Sequence, residues 1–311
     1  MKIFQRITSF LGAILVVATL IITNAAPVLA ADDDNTVPQY RLQLSPAKSD
    51  IGELKPGETF SSVVKVQNTG QNAFDFRMSV VPFTVTDEYY TQDYTSKTAY
   101  NDIVDWVKFS TTTGHLEPNS QVEVAYTITV PADVPAGGQY AILMAEITED
   151  DNSSESSGVN VLRRVGMLLY SNVQGNTRKT GEVIENKVPS ILFNPPVSAT
   201  SIVSNTGNTH TDATYVLQVY PLFGNEEVYT NEENPTVLTI LPDTRRFNTV
   251  TWPNAPQLGI FRVKQTVTIF DQTSTVEKIV FLCPIWFLFI VLLIIFCAIF
   301  WIVTRIRNRN N

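Results

Sequence analysis

Cysteine and histidine are scarce in this chain, with two of each among 311 residues. Cys283 and Cys297 both fall in a long apolar run near the C-terminus, so the remainder has neither a disulfide nor a thiol nucleophile. A zinc site needs three or four His, Cys or acidic ligands at short spacing, and that pattern is missing. No metal and no cofactor is assigned. His115, in a Thr-Gly-His-Leu turn, and His210, in a later loop, are expected to be exposed. With no Gly-x-Ser-x-Gly elbow, neither completes a nucleophilic triad. Asp87-Glu88 and the pair Asp102 and Asp105 read as solvated loop acids rather than a glycosidase pair. Glu149-Asp150-Asp151-Asn152 lacks the alternating ligands of a calcium loop. No catalytic residue is assigned, and the chain is expected not to be an enzyme.

Bases are also few: 22 Lys and Arg stand against 30 Asp and Glu, a net charge of −8. Lys2, Arg6, Arg305, Arg307 and Arg309 lie in two terminal segments that hold no acid. Residues 31–278 therefore carry 17 bases and 30 acids, a net of −13. A field of that sign repels polyphosphates, which excludes nucleic acid as a partner.

Apolar sequence is concentrated at the two ends. Residues 1–30 read as a secretory signal peptide: Lys2 and Arg6, an apolar stretch over 9–23, then Val28-Leu29-Ala30 as a cleavage site. Ile279 to Val303 is 25 residues without a charge, long enough to cross a hydrocarbon layer of roughly 30 Å. Arg305, Arg307 and Arg309 follow it, and Trp286 and Trp301 sit near its two ends. This predicts a single span whose C-terminal tail, 304–311, is cytoplasmic and whose preceding part is extracellular, in a plasma membrane.

Between these ends the pattern is that of strands. After a polar leader at 31–39, short runs rich in Val, Ile, Thr, Tyr and Phe alternate with turn residues about every 8–12 positions. The signals also recur in order. VVKVQNTGQNAFDFRMSV at 63–80 matches TSIVSNTGNTHTDATYVLQVY at 200–220 as strand, Asn-Thr-Gly turn, strand. LEPNSQVEVAYTITVP then leads to GGQYAILMAEI, as ILPDTRRFNTVTWP leads to LGIFRVKQTVTIF. The expectation is all-β: two tandem immunoglobulin-like sandwiches, at 40–175 and 180–275, and one C-terminal transmembrane helix at 279–303. Each Asn-Thr-Gly is expected to supply a positive φ where one strand reverses into the next. Tyr140, Ile142 and Met144 are expected to face the core, as is Trp106.

The strand pattern lapses between Thr84 and Trp106, where Tyr89, Tyr90, Tyr94 and Tyr100 stand among acidic and small polar residues. Tyrosine offers broad, stiff contact area suited to sugars and proteins, so these four are the candidate ligand-binding residues. The bland reading is that one or two rings fold back as a cap on the sandwich. If the loop is the site, deleting 86–103 leaves stability nearly unchanged. A second loop, Glu149 to Gly158, is polar and lacks aromatics.

DWVKFS at 105–110, with LEPNSQVEVAYTITVPADVPAGGQYAILMAEI at 116–147, resembles the first extracellular domain of WxL-interacting proteins of Gram-positive bacteria. That resemblance implies a signal peptide, two immunoglobulin-like domains, a C-terminal membrane helix with a basic tail, and binding of peptidoglycan and of partner proteins. The expected function is a membrane-anchored, extracellular, non-enzymatic binding protein holding cell-wall glycan or a surface protein. The other reading is a structural stalk or subunit of a cell-envelope complex.

Overall fold

A computed structural model describes residues 40–148 and 163–309. The expected signal peptide, the leader and the Glu149–Gly158 loop lie outside the described residues.

Among the described residues, the first sandwich opens with β1 (Leu42–Ser45), β2 (Lys48–Leu54), β3 (Thr59–Asn68) and β4 (Phe74–Pro82). A ribbon of β5 (Thr84–Val85) and β6 (Gln92–Asp93) and the one-turn helix α1 (Ile103–Trp106) follow. β7 (Val107–Phe109), β8 (Thr113–Leu116), β9 (Gln121–Thr129), β10 (Gly137–Thr148) and β11 (Arg164–Val173) complete it. The sheets are β1-β3-β9-β7 and β2-β11-β10-β4-β8.

The second sandwich repeats this plan. Its strands are β12 (Gly181–Lys187), β13 (Ile191–Leu192), β14 (Val197–Asn205), β15 (Thr211–Pro221) and β16 (Tyr229–Thr230). Then come β17 (Thr236–Ile240), β18 (Thr244–Trp252), β19 (Gly259–Ile269) and β20 (Gln272–Leu282). The sheets are β12-β14-β18 and β13-β20-β19-β15-β16, with β17 beside β15. In both copies the leading strand splits between the two sheets, and its second piece pairs parallel with the last strand, β2 with β11 and β13 with β20.

Alternation builds the cores. On β15, Ala213, Tyr215, Leu217 and Val219 are fully buried while the residues between them are not. Burying one such aliphatic side chain contributes about 1.5–3 kcal/mol, and each sandwich has its own cluster. Trp106 joins the first cluster as expected.

β10 departs from the expected pattern, since nine of its residues in succession are buried. Ala141, Leu143, Ala145 and Ile147 face the core of the first sandwich. Tyr140, Ile142 and Met144 face the opposite way, into a third cluster. A strand covered on both sides has no polar face, so alternation does not reveal which set points inward.

The apolar helix, α2 (Ile285–Arg309), starts six residues later than the sequence reading placed it, because Ile279–Leu282 belong to β20. Cys283 therefore lies between strand and helix, not in the span. Ile285–Val303 is the part long and apolar enough to cross a membrane: 19 residues, about 28 Å at 1.5 Å each. Arg305 is exposed, with its guanidinium 5.1 Å from the Trp301 ring.

Candidate functional site

The tyrosine segment lies in a seam between the two sandwiches. The β5–β6 ribbon brings Tyr90, Tyr94 and Tyr100 against Phe83, Tyr140, Ile142, Met144 and Tyr170 of the first sandwich and Leu241 of the second. Tyr90 is anchored most heavily. Its hydroxyl accepts the Leu241 N–H at 2.8 Å and bonds the Thr244 hydroxyl at 2.9 Å. The Arg246 guanidinium sits 4.0 Å from its ring centroid, a cation–π contact. Tyr90 takes a left-handed backbone, φ 63°, which for a non-glycine residue costs about 1–3 kcal/mol that these contacts offset.

The other three tyrosines divide. Tyr100 donates its hydroxyl hydrogen to the Asp243 carboxylate, and Tyr94 donates to the Gln92 side chain in its own ribbon. Tyr89 alone stays largely open, 69% exposed, with its ring 5.2 Å from that of Phe247. Beside it the Phe247 N–H donates to the Glu88 carbonyl at 2.7 Å. Tyr90 and Tyr100 thus cap an outer face of the first sandwich and bind the second sandwich in the same act.

His210 corrects a second expectation. Its side chain is only 10% exposed, stacked on Tyr170 at 5.2 Å between ring centroids, with Nε2 3.1 Å from an Asp50 carboxylate oxygen. The His210 N–H donates to the Tyr140 hydroxyl at 2.9 Å. Nearby, the Gly138 N–H donates to the Asn208 carbonyl at 2.7 Å, and the Asn208 amide donates to the Ala136 carbonyl at 3.1 Å. A Cβ on Gly137, whose φ is +142°, would stand 2.8 Å from that Asn208 oxygen, so only glycine permits the approach.

Burial dominates the seam's electrostatics. It raises the Tyr140 and Tyr170 hydroxyls, Tyr170 to about 12. Burial, and then the Asp243 carboxylate, push Tyr100 up to about 12. These hydroxyls are neutral over the physiological range. His115, by contrast, is exposed on β8, and its hydrogen bond to Asp75 at 2.6 Å raises its pKa above the ordinary 6.5.

The repeated Asn-Thr-Gly turns explain which ends meet. Asn68 and Asn205, both buried, do the same work in the two copies. The Gly70 N–H donates to Asn68 Oδ1 at 3.0 Å, and Asn68 Nδ2 donates to the carbonyls of Asn72 and Leu116 at 2.8 and 3.3 Å. The Gly207 N–H donates to Asn205 Oδ1 at 2.9 Å, and Asn205 Nδ2 donates to the carbonyls of Thr209 and Ile240 at 2.8 and 3.0 Å. Neither glycine has a positive φ, contrary to expectation. The left-handed residues are Asn119 and Asp243, at φ 57° and 54°, in the matching Pro-Asn-Ser and Pro-Asp-Thr turns. Gly207 is needed for space, since a Cβ there would lie 2.3 Å from the Arg178 carbonyl.

In the second sandwich this end, with Asn208, His210, Leu241 and Asp243, is docked on the first. In the first sandwich no other described element is docked on the matching end. It lies at the opposite end of β10 from the seam, and so farther from α2. A notch of about 220 Å³ opens there between Gln67, Thr69, Asn119, Ser120 and Gln121. The Gln67 amide donates to Gln121 Oε1 across it at 2.8 Å. The second-sandwich residues of the seam, Leu241, Asp243, Thr244 and Arg246, and those of this tip went unassigned in the sequence, although the paired turn signals marked both.

No protein-family model matches the chain, and no curated protein matches it. Among solved structures the chain is similar to the class 5 fimbriae chaperone CfaA, at 11% identity and a TM-score of 0.38, over 76% of this chain and 99% of that one. It is similar to a Salmonella enterica SafA pilin–SafB chaperone complex at 12% identity and 0.38, over 78% and 97%. A PapD-like domain of human CEP192 matches at 15% identity and 0.32, over 49% and 97%. At these scores the fold assignment rests on strand order and register.

Proposed function

We propose that the chain is a non-enzymatic binding protein, anchored by α2 with Arg305, Arg307 and Arg309 on the cytoplasmic side, that holds a surface protein partner at the open tip of its first sandwich. The observation that carries this reading is the repeat itself. The end that the second sandwich uses to dock, built on Asn205 and Asp243, recurs in the first around Asn68 and Asn119, where no other described element is docked. The seam then serves as the stalk that holds this tip away from the membrane, which joins the binding and stalk readings of the sequence. Peptidoglycan is the competing ligand, and Tyr89 is the ring left open to it. Kinship with WxL-interacting proteins belongs to the same proposal.

Tip and ring are separable in the native cell. Full-length protein carrying Gln71→Arg and Gln121→Arg, both at exposed positions, is expected to unfold at the wild-type temperature yet lose its cross-links to surface proteins. Undiminished cross-linking would remove the tip as the site. Retention on isolated sacculi that survives these changes but is lost in Tyr89→Ala would assign the function to glycan instead.

A further inference from the structure

The outer face of β19 and β20 changes character along its length. From the seam end, Thr268 faces Thr273 and Thr266 faces Thr275, with hydroxyls 3.2 and 3.3 Å apart. Lys264 then faces Glu277. Beyond that point the face becomes apolar: Arg262 lies opposite Ile279, Ile260 opposite Phe281, and β13 sets Ile191 on the other side of Phe281. These side chains are exposed, Ile191 by 60%, Ile279 by 46% and Phe281 by 44%. The turns at the same end add Leu258, 46% exposed, and Phe223, 90% exposed. Single apolar residues on a surface need no explanation, but a band running across neighbouring strands does.

Its position identifies what covers it. β20 ends at Leu282 and α2 begins at Ile285, so Phe281 is four residues, at most about 14 Å of chain, from the start of the apolar helix. The headgroup layer on each side of a hydrocarbon core is roughly 5–8 Å thick. A helix entering hydrocarbon at Ile285 holds this end of the sandwich against that layer. The Phe223 turn is also held in place, because Arg262 donates to the Gly224 carbonyl at 2.7 Å.

Resting on the reading that α2 spans the bilayer, we propose that Phe223, Phe281, Ile191, Ile260 and Leu258 form a collar that enters the headgroup–acyl boundary of that same bilayer. The contact is with lipid, and it is apolar in kind. Glu226 and Glu227 occupy the Phe223 turn, and Glu227 accepts hydrogen bonds from Tyr220 and Gln218 at 2.6 and 2.9 Å. Anionic headgroups therefore gain nothing there, and zwitterionic lipid is sufficient.

Full-length Phe223→Trp, placed in phosphatidylcholine vesicles with bromine near the headgroup end of the acyl chains, tests the collar. The emission it adds over wild type is expected to be blue-shifted and quenched, and quenched less when bromine is moved to the chain end. Wild-type Trp286 and Trp301 report the span independently. Quenched wild-type emission with a red, unquenched increment from Trp at 223 would overturn the collar and leave the span intact. A blue-shifted but unquenched increment would place the face against a second copy instead of lipid, overturning the proposal. Unquenched wild-type emission would remove the span and the collar with it.

Discussion

Tyr90 concentrates three interactions with the second sandwich in one side chain, and two pass through its hydroxyl. Tyr90→Phe keeps the ring under Arg246 but leaves the Leu241 N–H in the seam without its partner. Leaving a buried donor unpaired costs about 1–3 kcal/mol, so the variant is expected to unfold at lower urea by that amount with an unchanged slope. A loss of only a few tenths would show that the seam is held elsewhere. The tyrosines were visible in the sequence as a cluster, but their partners were not. Asp243, Thr244 and Arg246 lie more than a hundred positions downstream, in text that reads as an ordinary turn and strand. His210 was misjudged for the same reason: its turn context is polar, and its burial comes from Tyr140 and Tyr170 of the other sandwich.

At the scale of elements, the segment from β5 to α1 is mostly built into the structure, with Tyr89 as its open ring. It carries Tyr90 and Tyr100 into the seam, and it ends on Ile103, which is fully buried in the first core. Deleting 86–103 is therefore expected to destabilise the protein, not to leave it unchanged. Loss of a buried Ile side chain alone costs about 2–5 kcal/mol, before the seam contacts are considered. Thermal unfolding of the deletion variant, monitored by far-ultraviolet circular dichroism, would have to match wild type for the loop to be a free binding segment. β10 shows the limit of pattern reading. Its run after Gly138 reads as an alternating strand with Tyr140, Ile142 and Met144 inward, yet whether Tyr140 or Ala141 faces the core depends on what covers the other side.

For the whole molecule, the seam couples two sandwiches that each have a core of their own. The full chain is expected to melt as one cooperative unit. Leu241→Asp puts a charge where Tyr90 and Tyr140 pack, at a residue 3% exposed. It is expected to split the calorimetric transition in two while each sandwich keeps its strands. A single transition shifted downward as a whole would show that the sandwiches cannot fold apart.

The sequence by itself determined the β class, the two copies and the C-terminal apolar helix. Each is a local signal: alternation, a recurring order of turns, and a run without charge. The Asn-Thr-Gly turns were legible as punctuation, although their work is done by the asparagine amide and not by the glycine φ. Only the tertiary structure decided that the tyrosine segment joins the sandwiches and that Ile279–Leu282 are strand and not part of the apolar helix. An apolar side chain satisfies a core, a seam or a bilayer equally well, and only the element packed against it distinguishes the three.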